Sequence, residues 1–304
     1  MKQFNPIDYR IFEGITGSQL YGTSTPESDS DSRGVCIPPM DVLLDPFMNF
    51  EQKDSGFEEP DRAIYALAKF MKLCADANPN IVELLFIPPK YTTFTSFEWY
   101  KILDNKNLFL SKNIKHRFLG YAFAQLDAIK RHREWFINPP SHKPTREEFG
   151  LGQTPIVSEA NLQNALAVPH DLYLPQYHQE LINERAYRDT KKKWDNYQQW
   201  QKNRNPRRKG TEEQFGYDTK YASHLFRLMS EGEELLLSGN ITFPLKNAEW
   251  LLAIKNGLYE YEKIIEMAEE TEKKFDLWYE QSTLPHNPNR NALKELYFEI
   301  VGVE

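Results

Sequence analysis

Turn punctuation constrains this chain more than any other feature: within the first ninety residues each apolar run is short and stops at glycine or proline. Tyr9 to Ile15 carries aromatic and β-branched residues and runs into Gly14 and Gly17, which reads as a strand ending in a tight turn. Ser28 to Ile37 alternates polar with small or apolar residues up to Pro38-Pro39, a second short strand. Ile81 to Ile87 reads as a third, closed by Pro88-Pro89. Between the last two, Asp61 to Ala77 sets Ile64, Leu67, Ala68, Met71 and Cys74 at helical spacing. Asp61 serves there as an N-cap or first-turn acid, and Asn78-Pro79 ends the helix.

Past residue 90 the pattern turns helical. A short helix is expected over Phe97–Leu103 and a long one over Ile114–Phe136, stopped by Pro139-Pro140. Residues 138–158, rich in Pro, Gly, Ser and Thr, form an irregular connection of a length that is usually functional or mobile. Helical stretches follow near 176–202, 215–237, 246–280 and 290–301, with Gly239 as a C-cap.

At 304 residues with 40% hydrophobic and 27% charged side chains, the chain can fill a core. No apolar run approaches the ~18–20 residues that span a bilayer, and the N-terminus lacks an apolar signal segment, so a cytoplasmic protein without a membrane partner is expected. Cys36 and Cys74 have no metal-ligand spacing and read as reduced core thiols. A net charge of −7 argues against wholesale coating of nucleic acid. The charge is segregated, however: Arg185 to Lys209 holds ten Lys or Arg against two Asp, and acids gather from Glu260 to Glu272.

The stretch from Gly17-Ser18 through Tyr21-Gly22 to Ser28-Asp29-Ser-Asp31-Ser-Arg33-Gly34-Val35 carries the chemistry. Two aspartates two apart on a strand share a face. Side by side they repel, which suits a site where divalent cations neutralise them, and hard oxygen ligands suit Mg²⁺. A Gly-Ser turn after a strand offers amides with little steric bulk to a phosphate. Glu83, alone in an apolar strand, is costly to bury unless paired or metal-bound. Asp29, Asp31 and Glu83 on neighbouring strands would hold two metal ions ~3.5–4 Å apart. A surface loop for the Asp pair and a strand edge for Glu83 are the plainer alternatives.

These residues resemble the signature of the polymerase-beta nucleotidyltransferase superfamily, and the fuller wording resembles its branch associated with RNA repair in bacteria and phages. The likeness continues in Asn78-Pro79-Asn80-Ile-Val-Glu83, in Phe118-Leu-Gly120-Tyr121-Ala122, and in Gly216-Tyr217-Asp218-x-Lys220-Tyr-Ala222-x-His224-Leu-x-Arg227-Leu228. It implies an α+β fold: a small mixed-sheet nucleotidyltransferase core over 1–110, then a mainly α-helical region over 111–304 with a long insertion around 138–214. It further implies an NTP substrate, Mg²⁺ or Mn²⁺, an RNA or tRNA partner, catalysis and metal binding by Asp29, Asp31 and Glu83, and phosphate contacts from Gly17 and Ser18. The insertion is a departure that a minimal enzyme of this kind does not need.

Lys220, His224 and Arg227 fall at i, i+4 and i+7 on one helix face, fitting for triphosphate contact. A solvated face with ion pairs to Asp218 and Glu231 is the alternative. Arg33, two residues past Asp31, either meets a phosphate or balances the acids. Trp194, Tyr197 and Trp200 interleave with Lys191, Lys192, Lys193, Arg204, Arg207 and Arg208, a pairing that binds single-stranded nucleic acid, or else packs one helix on the body.

Overall fold

The computed structural model describes residues 4–47, 49–55, 61–169, 172–204 and 206–302, with the backbone alone at 206–208. Two compact units divide the chain, residues 1–129 with 219–304 and residues 130–218.

The first unit is α+β. Its sheet uses strands β1 (Arg10–Thr16), β2 (Asp31–Cys36), β3 (Gln52–Asp54), β4 (Asp61–Ala66) and β5 (Thr92–Thr95), in the order β3-β4-β2-β1-β5. All neighbours are antiparallel except β2 and β4, which run parallel and pair Asp31 with Asp61 and Cys36 with Ala66. Short helices α1 (Gly17–Tyr21), α2 (Met40–Leu43), α3 (Leu67–Ala75), α4 (Pro79–Val82) and α5 (Phe97–Asp104) connect or cover the strands. Phe12 of β1 stacks on Trp99 of α5 at 4.1 Å between ring centroids, and Phe70 of α3 and Phe109 join them, which fixes helices over one face of the sheet. Cys36 and Cys74 are free and buried, and burial pushes the Cys36 thiol up to about 12. Helix α6 (Asn113–Ile137) passes the division between the units after Ile129. The first unit resumes with α10 (Thr219–Ser238), α11 (Ala248–Lys255), α12 (Tyr261–Gln281) and α13 (Arg290–Val301), after α7 (Glu159–Ala167), α8 (Pro175–Asn203) and α9 (Pro206–Phe215) of the second. Gly239 ends α10 at φ +66°, its amide donating to Leu235 O at 2.9 Å.

Three expectations are corrected. Asp61–Ala77 is not one helix: Asp61–Ala66 pairs with β2 and only Leu67–Ala75 is helical, since a central place beside β2 outweighs the helical spacing. Ile81–Ile87 is not a strand. With Pro79 in the first turn and Ile81 N and Val82 N donating to Asn78 O, the chain enters a helical turn and then a 3₁₀ turn over Glu83–Phe86. Its residues are buried throughout, so no alternation was there to tell strand from helix. Finally, the helix expected over 246–280 breaks between α11 and α12, at Gly257 with φ +78°.

Candidate active site

At one end of the sheet β1 finishes while β2 and β4 begin. Thr16 lies opposite Asp31, and Asp31 lies beside Asp61 in parallel register, so their side chains share a face. Asp29 belongs to the irregular segment before β2 rather than to the strand, and is exposed, as is Asp61; Asp31 is half-buried. The common strand face expected for Asp29 and Asp31 therefore does not exist, and strand pairing supplies Asp61 instead. Burial raises the pKa of Asp31, Arg33 opposes the shift, and the negative charges of Asp61 and Asp29 add to it.

Gly17 closes the site from β1. Its φ is +66°, and a Cβ there would stand 2.1 Å from Asp31 Oδ2, so only glycine brings the turn against that carboxylate. Ser18 follows, its carbonyl accepting from Thr23 N at 2.9 Å. Arg33 Nη2 lies 3.4 Å from Asp61 Oδ2, which makes it a counter-charge to an acid. Two further cations stand near. Lys220, exposed at the start of α10, acts electrostatically on Asp31. Lys255 at the end of α11 approaches Thr23 O at 3.3 Å, and burial together with Lys220 lowers its pKa. Sequence reasoning missed Asp61 and Lys255: the first was read as a helix cap, and the second lies in a segment read as mid-helix.

Glu83 is placed elsewhere. It is 1% exposed, accepts from Tyr21 Oη at 2.8 Å, and pairs with Arg227 Nη1. Arg227, 4% exposed, also donates to Glu231 at 2.9 Å and to Asn80 Oδ1 at 3.4 Å, lies 2.5 Å from His224 Nε2, and sits 4.4 Å above the Tyr21 ring. The expected cationic row is thus divided: Lys220 faces the acid end, while His224 and Arg227 join an interior ionic cluster. Burial works against the Arg227 charge, and Glu231, Tyr21 and Glu83 overcome it, so its pKa stands above the ordinary arginine value. Burial pushes the Glu231 carboxyl up to about 8 and holds the Tyr21 hydroxyl well above its usual value.

In the second unit the aromatic residues turn on one another. Tyr197 is buried, Trp135 lies 6.0 Å from Tyr197 and 5.5 Å from Trp200, and Trp194 lies 6.1 Å from Tyr197. Arg204 stacks on Trp200 at 4.6 Å and donates to Glu212 at 2.7 Å. Lys192 and Lys193 are exposed and Lys191 half-buried. The side chains of Arg207 and Arg208 lie outside the described residues. Among the described residues, the trio His132, Glu212 and Asp218 brings its possible metal-ligand atoms within 4.8 Å of one another. Asp29, Asp31 and Asp61 do not form such a group.

Residues 6–137, which carry the glycine turn and the aspartates at the strand ends, match the RNA repair pathway DNA polymerase beta family (RlaP). A relative extends across the rest, an uncharacterized 38.9 kDa protein of the nrdC-mobD intergenic region of Enterobacteria phage T4. It is 26% identical over 292 residues, covering 86% of each chain. No solved structure matches. The family points to a nucleotidyltransferase linked to RNA repair, and enzymes of the polymerase-beta type usually employ divalent metals and NTPs. No helix among the described residues is long and apolar enough to cross a membrane.

Proposed function

We propose that this chain is a metal-dependent nucleotidyltransferase that moves a nucleoside monophosphate from an NTP to a hydroxyl at an RNA end, tRNA included, with pyrophosphate leaving. One observation carries the reading: parallel register sets Asp61 beside Asp31 directly against the Gly17 turn. The donor set suits Mg²⁺ or Mn²⁺, since carboxylate oxygens are hard ligands and the like charges around Asp31 favour a cation. Asp29, Asp31 and Asp61 are the residues that would hold it, with Asp61 in the role expected of Glu83. A divalent ion there supplies Lewis-acid stabilisation of phosphoryl oxygens and lowers the pKa of an attacking hydroxyl.

The chain's own groups do the rest. Gly17 lets the turn sit directly against the Asp31 carboxylate, and Ser18 beside it offers a hydroxyl to a phosphate. Lys220 and Lys255 offset the polyphosphate charge not covered by metal, and Arg33 holds the Asp61 carboxylate in place.

Incubation with labelled NTP, Mg²⁺ and total tRNA tests this. The wild type should label RNA, and the Asp31→Asn, Asp61→Asn double variant should fold and not label. Transfer that survives in the double variant, or its lack in a wild type offered both Mg²⁺ and Mn²⁺, sinks the reading. Because Trp194, Tyr197 and Trp200 pack together and are not splayed to receive bases, a second acceptor class is kept. Label on protein or on a small hydroxyl compound would assign the acceptor there.

A further inference from the structure

The interior cluster around Arg227 reaches the acid site through one short helix. Helix α1 is a single turn: Gly17 at its start stands against Asp31, and Tyr21 at its end enters the cluster. Tyr21 is held on three sides. Its hydroxyl donates to Glu83 Oε2 at 2.8 Å, its ring lies 4.4 Å beneath the Arg227 guanidinium, and its carbonyl accepts from Leu245 N at 3.2 Å. Arg227 is fixed in turn by Glu83, Glu231, Asn80 and His224.

Two glutamates and a guanidinium, all nearly solvent-free, are a poor way to gain stability, because desolvation consumes the Coulomb attraction and an apolar cluster of equal volume does as well. What such a cluster adds is direction. Apolar packing lets a ring slide, whereas a hydrogen bond from Tyr21 Oη to a carboxylate locked by Arg227 admits one placement. We infer that Tyr21, Glu83 and Arg227 are positioning residues, which fix α1 so that Gly17 and Ser18 meet the Asp31–Asp61 end of the sheet in one geometry. The inference rests on the nucleotidyltransferase reading for its purpose, and it removes Glu83 from the metal ligands.

Four variants and two activity-independent readouts test it: Mn²⁺ binding followed by the free-ion paramagnetic resonance signal, and amide hydrogen exchange over 17–22. Tyr21→Phe keeps the ring and loses the hydroxyl. It should still fold, with melting lowered only by the one lost hydrogen bond, bind Mn²⁺ unchanged, and exchange the α1 amides on the order of tenfold faster. Its transfer should fall by a factor of order 10–10², the scale of a misplaced reacting group. Glu83→Gln keeps an acceptor for one partner and should retain most activity, while Glu83→Ala should lose as much as Tyr21→Phe; neither should alter Mn²⁺ affinity. Asp61→Asn, the contrast, should weaken Mn²⁺ binding.

Glu83→Gln as inactive as Glu83→Ala with weakened Mn²⁺ binding would make Glu83 a ligand and overturn the inference. So would Tyr21→Phe with wild-type exchange in α1. A wild type that shows no transfer defeats the proposed function instead, and the exchange comparison still decides whether Tyr21 holds the turn.

Discussion

Within one unit this chain keeps two sets of carboxylates under opposite conditions. At the sheet end Asp29 and Asp61 are exposed and Asp31 is half-buried, with Arg33 3.4 Å from Asp61 and acting on Asp31 as well. In the interior Glu83 and Glu231 are 1% and 0% exposed and share Arg227. The first set lies where solutes can reach it, with cations beside it rather than locked onto it. The second is compensated and closed. Both began as acidic residues near apolar runs, so environment, not residue type, separates a site that can take up a cation from one that already contains its own.

The comparison breaks first at the aspartates if it is wrong. Asp31→Asn with Asp61→Asn should cut transfer by at least ~10²-fold, since metal-borne stabilisation amounts to several kcal/mol and each 1.36 kcal/mol is tenfold. The same change should leave the melting temperature level or raised, because it removes repulsion; a large fall in melting would make these aspartates scaffold.

Next is Arg227→Met, which strips the buried Glu83 and Glu231 of their shared guanidinium and should cost about 3–5 kcal/mol in urea unfolding. A loss below 1 kcal/mol would mean that the interior set is not compensated as described. Smaller again is the effect of Glu231→Gln on the pH profile. The folded pKa of Glu231, about 8, lies above the ordinary 4.5, so the native state binds more protons between those values and Glu231 withdraws stability as pH climbs through that window. Its neighbours there are Arg227, Glu83 and Glu234. Removing the titration should flatten the fall in melting temperature from pH 5 to 8, and a slope identical to wild type would count against a retained proton. Arg33→Ala is the smallest: its half-exposed pair with Asp61 is worth at most about 1 kcal/mol of stability, so melting should barely move.

How the sequence led to this site differs from residue to residue. The turn at Gly17 and the strand carrying Asp31 were legible because turn chemistry and short apolar runs are local signals, whereas the alternation that set Asp29 beside Asp31 fails where β2 starts at Asp31. Asp61 was not, because nothing between Ala66 and Leu67 breaks the chain: a strand flows into a helix, and the apolar spacing of α3 extends back over β4. Only pairing with β2, a partner some thirty residues away in sequence, identifies Asp61–Ala66 as a strand. Glu83 misled for the converse reason. A fully buried apolar run has no periodic face, and its rescuing partner, Arg227, is 144 residues distant. The α+β class and the long helix α6 survived, since 3.6-residue repetition over many turns is hard to imitate.

One feature of the backbone reaches past this molecule. Where Gly17 meets Asp31, even a methyl group is refused twice, by the left-handed torsion and by an oxygen 2.1 Å away. A sibling protein with a larger residue at that spot has to strain the bend or swing the acid aside. That single position thus reports, from a string of letters alone, whether the turn and the carboxylate can keep this close approach.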